Sequence, residues 1–257
     1  MNGEPATRDQ LATLALINYG HFTSMLAENG LIKGLTAHCD RLTGDCRRLF
    51  GVDLPAARVR AYLRPVVAEP GTRMVRVTVF DPAADLLHPD GEPAVLITTR
   101  PAGSALLPPL RLRTVQARRE LPEVKHVGLF GTLWARREAR RAGADDALLS
   151  DETGLITEGP TWNVGFVRTH QDHDQLVWPE AAVLPGVTQL LLETVGVASV
   201  NRPVRAVDLG GFAAAFATNS GFGVRPIAAI DEHEFDHDHP VLRRLGEAYA
   251  AIPGEAP

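Results

Sequence analysis

The chain has 257 residues, 45% of them hydrophobic and 22% charged, with a formal net charge of −5. That length can bury a sizeable core in one or two domains, and the balance is ordinary for a soluble globular protein. The negative charge gives nucleic acid or an anionic membrane no electrostatic footing. With no long apolar run and no basic-then-apolar leader, neither a membrane span nor a signal peptide is expected.

In chain order, residues 10–18 (QLATLALIN) lead into an extended stretch, HFTSMLAENGLIKGL, whose Glu28-Asn29-Gly30 is a hairpin turn signal. Thr36 reads as the N-cap of a helix running to about Phe50. Cys39 and Cys46 share a helical stripe with Leu35, Leu42 and Leu49, which turns both thiols toward a core. A disulfide across two helical turns is sterically disfavoured, and reduced thiols fit a cytoplasmic setting. A second helix is expected around 55–67, ended by Pro70-Gly71, and the β-branched runs 73–80 and 94–99 read as paired strands. Residues 109–124 are a strand followed by a linker, so the expected organisation is a small domain over 1–115, a linker over 116–124 and a second domain over 125–257.

In the second part, residues 129–142 form a helix with a basic outer face, Arg136-Arg137 and Arg140-Arg141, stopped by Gly143. DALLSDETGLITE reads as two strands around a turn, and TWNVGFV as a third strand. LPGVTQLLLETVG is a helix entered through Pro185-Gly186, and FAAAFATNS and VRPIAAI are strands separated by Gly221-Phe222-Gly223. A short helix from about Pro240 closes the chain with a frayed Pro/Gly tail. His233, His237 and His239 among acids suggest a metal site only superficially; no ligand pair has structural-zinc spacing, and a solvated loop is expected. His170 and His173 are expected at a solvated hairpin tip, and Trp134 and Trp162 in a core or interface.

Lys125, in LPEVKHVGLF, and Glu158, thirty-three residues later in GLITEGPTWNVGFV, carry the chemistry. A lysine in partly apolar surroundings can form a Schiff base with an aldehyde, and a deep acid can keep a pyridine nitrogen protonated. Arg41 in LTAHCDRL, Asn163 in TWNVGFV, the LPGVT helix start and the ATNSGFGVRPI loop complete an ordered set. From about Asn18 to Ile230 this set resembles the class IV aminotransferases, the fold type IV pyridoxal phosphate enzymes. That family includes branched-chain and D-amino-acid aminotransferases and aminodeoxychorismate lyase. The resemblance implies a mixed α/β (α+β) fold, with a small N-terminal domain and a larger C-terminal mixed-sheet, pseudo-barrel domain that binds pyridoxal 5′-phosphate. It assigns Lys125 to the Schiff base and proton shuttle, and Glu158 to the pyridine nitrogen. Arg41, Val187, Thr188, Asn219 and Ser220 fall to the cofactor phosphate, through a guanidinium fork, a helix N-terminus and a second turn.

On the substrate side, Phe22-Thr23-Ser24 is similar to a Phe-Thr-Thr run of the lyases, Tyr19 to an aminotransferase tyrosine, and Arg76 to an arginine near the substrate carboxylate. An arginine in such a strand can equally face solvent. The chain departs from both branches after its lysine: Lys125-His126-Val127-Gly128-Leu129-Phe130 keeps the lyase-like histidine, loses its asparagine, and puts Phe130 where aminotransferases carry a tyrosine. The loop between Asp81 and Ala94 is short and Pro/Asp-rich, so substrate specificity does not carry over. The resemblance implies an aminotransferase working on amino and keto substrates, with a pyruvate-releasing lyase or a non-catalytic relative as alternatives, and a homodimer.

Overall fold

The computed structural model describes every residue except 90, 104–106 and 171–172. It divides into two compact units: Met1–Gly103 with Val124–Gly128 and Pro253–Pro257, and Ser104–Glu123 with Leu129–Ile252.

The first unit opens with helix α1 (Arg8–Ile17), entered through a capping box between Thr7 and Gln10. Strands β1 (His21–Glu28) and β2 (Leu31–Lys33) form the expected hairpin, with Asn29 and Gly30 at φ 50° and 84°, as a two-residue turn requires. Helices α2 (Leu35–Phe50) and α3 (Ala56–Val67) precede β3 (Thr72–Phe80) and β4 (Ala94–Pro101). In this antiparallel sheet β1 lies between β2 and β3, β4 pairs beyond β3, and a C-terminal strand, Gly254–Glu255, pairs beyond β2. One sheet face, through Met25, Val75 and Val77, packs on Leu35, Cys39, Leu42 and Cys46 of α2 and on Val59 and Leu63 of α3. Both cysteines are free and buried, as their stripe predicts, and burial pushes the Cys46 thiol up to about 11.

Two local expectations are corrected here. Gly34, left-handed at φ 65°, is the N-cap of α2, not Thr36. Thr36 instead gives its backbone N–H, at 3.1 and 3.2 Å, and its hydroxyl to the Glu255 carboxylate, which suits a helix N-terminus. The C-terminal tail is therefore not frayed: Arg60 holds the same carboxylate, and the tail adds a strand to the sheet.

The second unit contains β5 (Leu110–Gln116), α4 (Phe130–Arg141), β6 (Asp146–Ser150), β7 (Asn163–His170), β8 (His173–Pro179) and α5 (Val187–Leu192). It continues with β9 (Ser199–Arg202), a 3-10 turn (Ala206–Gly211), β10 (Ala214–Asn219), β11 (Gly223–Ile230), β12 (His233–Glu234) and α6 (Pro240–Ala251). The sheet runs β6-β5-β11-β10-β7-β8-β9 with β12 paired to β11, and it is mixed, as the resemblance implies. The pairs β5–β6, β5–β11 and β8–β9 are parallel and the rest antiparallel. Ala135 and Ala139 of α4 pack on Ala147 and Leu149, while Leu242 and Leu245 of α6 pack near Trp178 and Phe216.

The second strand expected in DALLSDETGLITE does not form. Asp151 accepts backbone bonds from Thr153 and Leu155, curling the chain so that Leu155 and Ile156 make single bridges only. His239 caps α6, its Nδ1 accepting from the Val241 N–H at 3.4 Å, and no metal-binding cluster occurs among the described residues. The expected hairpin tip at His170 and His173 falls partly outside the described residues; His173 itself is exposed.

Candidate active site

Val124–Gly128 group with the first unit. The reason is a set of backbone bonds. The Phe22 N–H donates to the Lys125 carbonyl at 2.8 Å, and the Val127 N–H to the Gly20 carbonyl at 2.9 Å, around a bridge between His21 and His126. Buried Asp45 of α2 accepts the Lys125 N–H at 3.1 Å. The lysine backbone is thus held on both sides.

The Lys125 side chain shares the Phe22 ring with Arg76. Its Nζ lies 5.0 Å from the ring centroid, and the Arg76 guanidinium carbon 3.6 Å from it. Arg76 sits opposite Ser24 in the β1–β3 register, and its Nε donates to the Thr78 hydroxyl at 3.2 Å. Burial first, and then the charge of Arg100, lower the Arg76 pKa. No carboxylate pairs with Arg76 among the described residues, which makes this half-buried face receptive to an anionic group. The alternation of β1 puts Phe22 and Ser24 on this face, and His21, Thr23 and Met25 on the α2 side.

That alternation separates the predicted substrate residues. Thr23 is buried, with its hydroxyl 2.6 Å from His38 Nδ1. The Tyr19 hydroxyl donates to the Leu49 carbonyl at 3.1 Å, and its ring packs edge-on against Phe50. Of Tyr19, Thr23 and Arg76, only Arg76 shares the Phe22 face with Lys125. Arg41 lies one turn beyond His38 on α2, an i, i+3 neighbour. Burial, then the charges of Arg41 and Lys125, hold the His38 imidazole well below its ordinary range and therefore neutral.

In the second unit Glu158 is buried, and its carboxylate Oε1 lies 3.4 Å from the Nε of equally buried Arg119. Both line a cavity of about 460 Å³ together with Gln116, Arg118, Ser150 and Thr157. The turn after Glu158 is tightly packed: Gly159 donates to the Trp162 carbonyl at 2.8 Å and leaves no room for a Cβ beside the indole. Trp162 is a core residue, its indole N–H bonded to Asp146 at 2.9 Å, and Arg136 of α4 pairs with that aspartate at the same distance.

Asn163 donates to the Leu184 carbonyl at 2.8 Å, and Gly186 presses against its amide, so this side chain sets the turn into α5. Val187 and Thr188 are buried at the start of α5, and the Thr188 and Ser220 hydroxyls lie 3.3 Å apart. The two turns predicted to hold a phosphate therefore meet. The Asn219 side chain accepts from the N–H groups of Gly221 and Phe222 in its own turn, at 2.8 and 3.1 Å, and donates to the Thr161 carbonyl at 3.3 Å. Hydroxyls and backbone amides converging at a helix start suit an anion, and a buried carboxylate suits a protonated ring nitrogen, so the donor set fits a pyridine phosphate ester.

Asp45, His38 and Arg119 escaped the sequence reading. The spacing of His38 and Arg41 on one helix was visible, but nothing local marks Asp45 or Arg119 as a partner of residues far along the chain.

The sequence profile described as amino-transferase class IV matches residues 20–230. A protein of Methanocaldococcus jannaschii named as a candidate branched-chain-amino-acid aminotransferase is 26% identical, over 91% of this chain and 86% of its own length. Among solved structures, a hypothetical aminotransferase from Mycobacterium tuberculosis in a PLP-bound form superposes with a TM-score of 0.82 at 20% identity, covering 98% of this chain and 94% of that one. A candidate 4-amino-4-deoxychorismate lyase from Legionella pneumophila superposes equally well, at 0.82 and 20% identity, covering 97% and 96%. With the profile matching most of its length, and the fold type IV architecture reproduced, the chain belongs to the class IV aminotransferase family.

Proposed function

We propose that this chain is an aminotransferase that passes an amino group from an amino acid or amine to a keto acid, with Lys125 supplying the amine that condenses with the aldehyde of pyridoxal 5′-phosphate. The observation that carries the proposal is the seating of Lys125, gripped through its backbone by Phe22 and Asp45 and resting its amine over a ring shared with Arg76. When bound, the cofactor supplies an electron sink for the substrate carbon. The chain's residues do the rest. Lys125 Nζ carries the proton between carbons, and Glu158 accepts the ring-nitrogen hydrogen bond. Arg41, the amides of Val187 and Thr188, and the Asn219-Ser220 turn hold the phosphate. Arg76 receives a substrate carboxylate. Tyr19 and Thr23, with hydroxyls committed to Leu49 and His38, support the site from behind.

The test is the ultraviolet-visible spectrum of the purified protein and of Lys125→Ala, before and after borohydride. A visible cofactor band that borohydride fixes to the wild type, and that the variant lacks, is expected. A donor screen including glutamate, alanine and the branched-chain amino acids should then bleach that band. A protein that takes up no cofactor refutes the proposal.

One observation favours a lyase as second reading: Ser24 lies on the Phe22 face, directly opposite Arg76. Pyruvate release from aminodeoxychorismate, coupled to lactate dehydrogenase, separates the two. A homodimer is supported by α4, whose Phe130, Leu133 and Trp134 are 84%, 50% and 45% exposed at i, i+3 and i+4. Sedimentation of the wild type and of Phe130→Ser/Trp134→Ser checks this. The two free thiols support a reducing cytoplasm as the setting.

A further inference from the structure

We infer that Arg119 is a positioning residue for Glu158, holding that carboxylate ionised and aimed so that the cofactor's ring nitrogen meets an anion rather than a neutral acid. The inference rests on the cofactor reading above and adds a residue to it.

A carboxylate taken out of water is costly unless a cation and hydrogen bonds compensate it. Glu158 is 3% exposed, and the Arg119 Nε stands 3.4 Å from its Oε1. Buried ion pairs gain little over apolar residues of the same volume, so stability alone gives no reason for charges here. The position of this pair suggests another reason, because both partners line the cavity of about 460 Å³ in the second unit. A carboxylate has about four lone-pair sites over two oxygens, so a guanidinium at Oε1 does not exhaust its capacity to accept. The Glu158 backbone is fixed as well, its carbonyl accepting the Leu149 N–H at 2.8 Å. Arg119 thus does two things for a ring-nitrogen acceptor: it opposes the protonation that burial would favour, and its charge draws Oε1 to one side, leaving the rest of the carboxylate to accept.

The experiment measures binding to apoprotein by tryptophan fluorescence, comparing pyridoxal phosphate with an analogue carrying carbon in place of the ring nitrogen. Arg119→Met should weaken pyridoxal phosphate about tenfold, the gap between a charged and a neutral hydrogen bond, and leave the analogue within about twofold of wild type. Arg119→Lys, which keeps the charge, should recover most of the loss. Equal losses for both ligands would reduce Arg119 to a structural role, and no loss for either would remove it from the site; each overturns the inference. Arg119→Gln, neutral but able to hydrogen-bond, repeats the comparison if the methionine variant does not fold. A wild type that binds neither ligand refutes the cofactor reading itself, an outcome distinct from a wild type that binds both while the variant behaves identically.

Discussion

His21 should make the first unit sensitive to acid. Its side chain is fully buried on the α2 side of β1, tilted against the Phe50 ring at 6.2 Å, and neither ring nitrogen has a hydrogen-bond partner among the described residues. Burial alone lowers its pKa from 6.5 to about 3. The folded state therefore stays neutral where the unfolded chain takes up a proton. The stability this protects is fully present above pH 6.5 and is lost as the pH falls from there toward 3. Each pH unit inside that window costs about 1.4 kcal/mol, so about 2 kcal/mol disappears between pH 7.5 and pH 5. His21→Leu and His21→Gln cannot take up that proton and should lose correspondingly less. Urea unfolding at the two pH values, followed by circular dichroism, measures the difference. Trp134, Trp162 and Trp178 all lie in the second unit, so their fluorescence follows the unfolding of that unit. His38, whose pKa is lowered in the same direction, remains in every variant and cancels. Equal losses in wild type and both variants would refute the reasoning.

Two further outcomes follow from packing and charge. Gly159→Ala would drive a Cβ to 2.0 Å from the Trp162 indole, a ring tied to Asp146, and should destabilise the protein by about 1–3 kcal/mol in thermal melts; an unchanged midpoint would mean that the turn can yield. Arg76→Met should raise KM for a carboxylate-bearing substrate about tenfold or more while changing kcat much less, as expected when uniform binding is lost; a fall in kcat at constant KM would assign Arg76 to the chemical step instead.

Much of the molecule is written locally. The cysteine stripe of α2, the Asn29-Gly30 hairpin and the Thr7 capping box each depend on residues within a few positions of one another, where helical period and turn chemistry act directly. The order of Arg41, Lys125, Glu158, Thr188 and Ser220 along the chain was enough to identify the family, because each sits in a short recognisable segment. Partnership across long separations is another matter. Glu255 on Thr36 joins positions 219 apart, Asp45 on Lys125 positions 80 apart, and Arg119 on Glu158 is a pairing of charges with no local spacing rule. Strand alternation decided that Arg76 would share the Phe22 face with Lys125, while Thr23 turned back to His38. Sequence by itself determined most of the elements and the family. Only the tertiary structure decided which side chains meet, since that follows from strand register and from burial that makes an unpartnered charge costly.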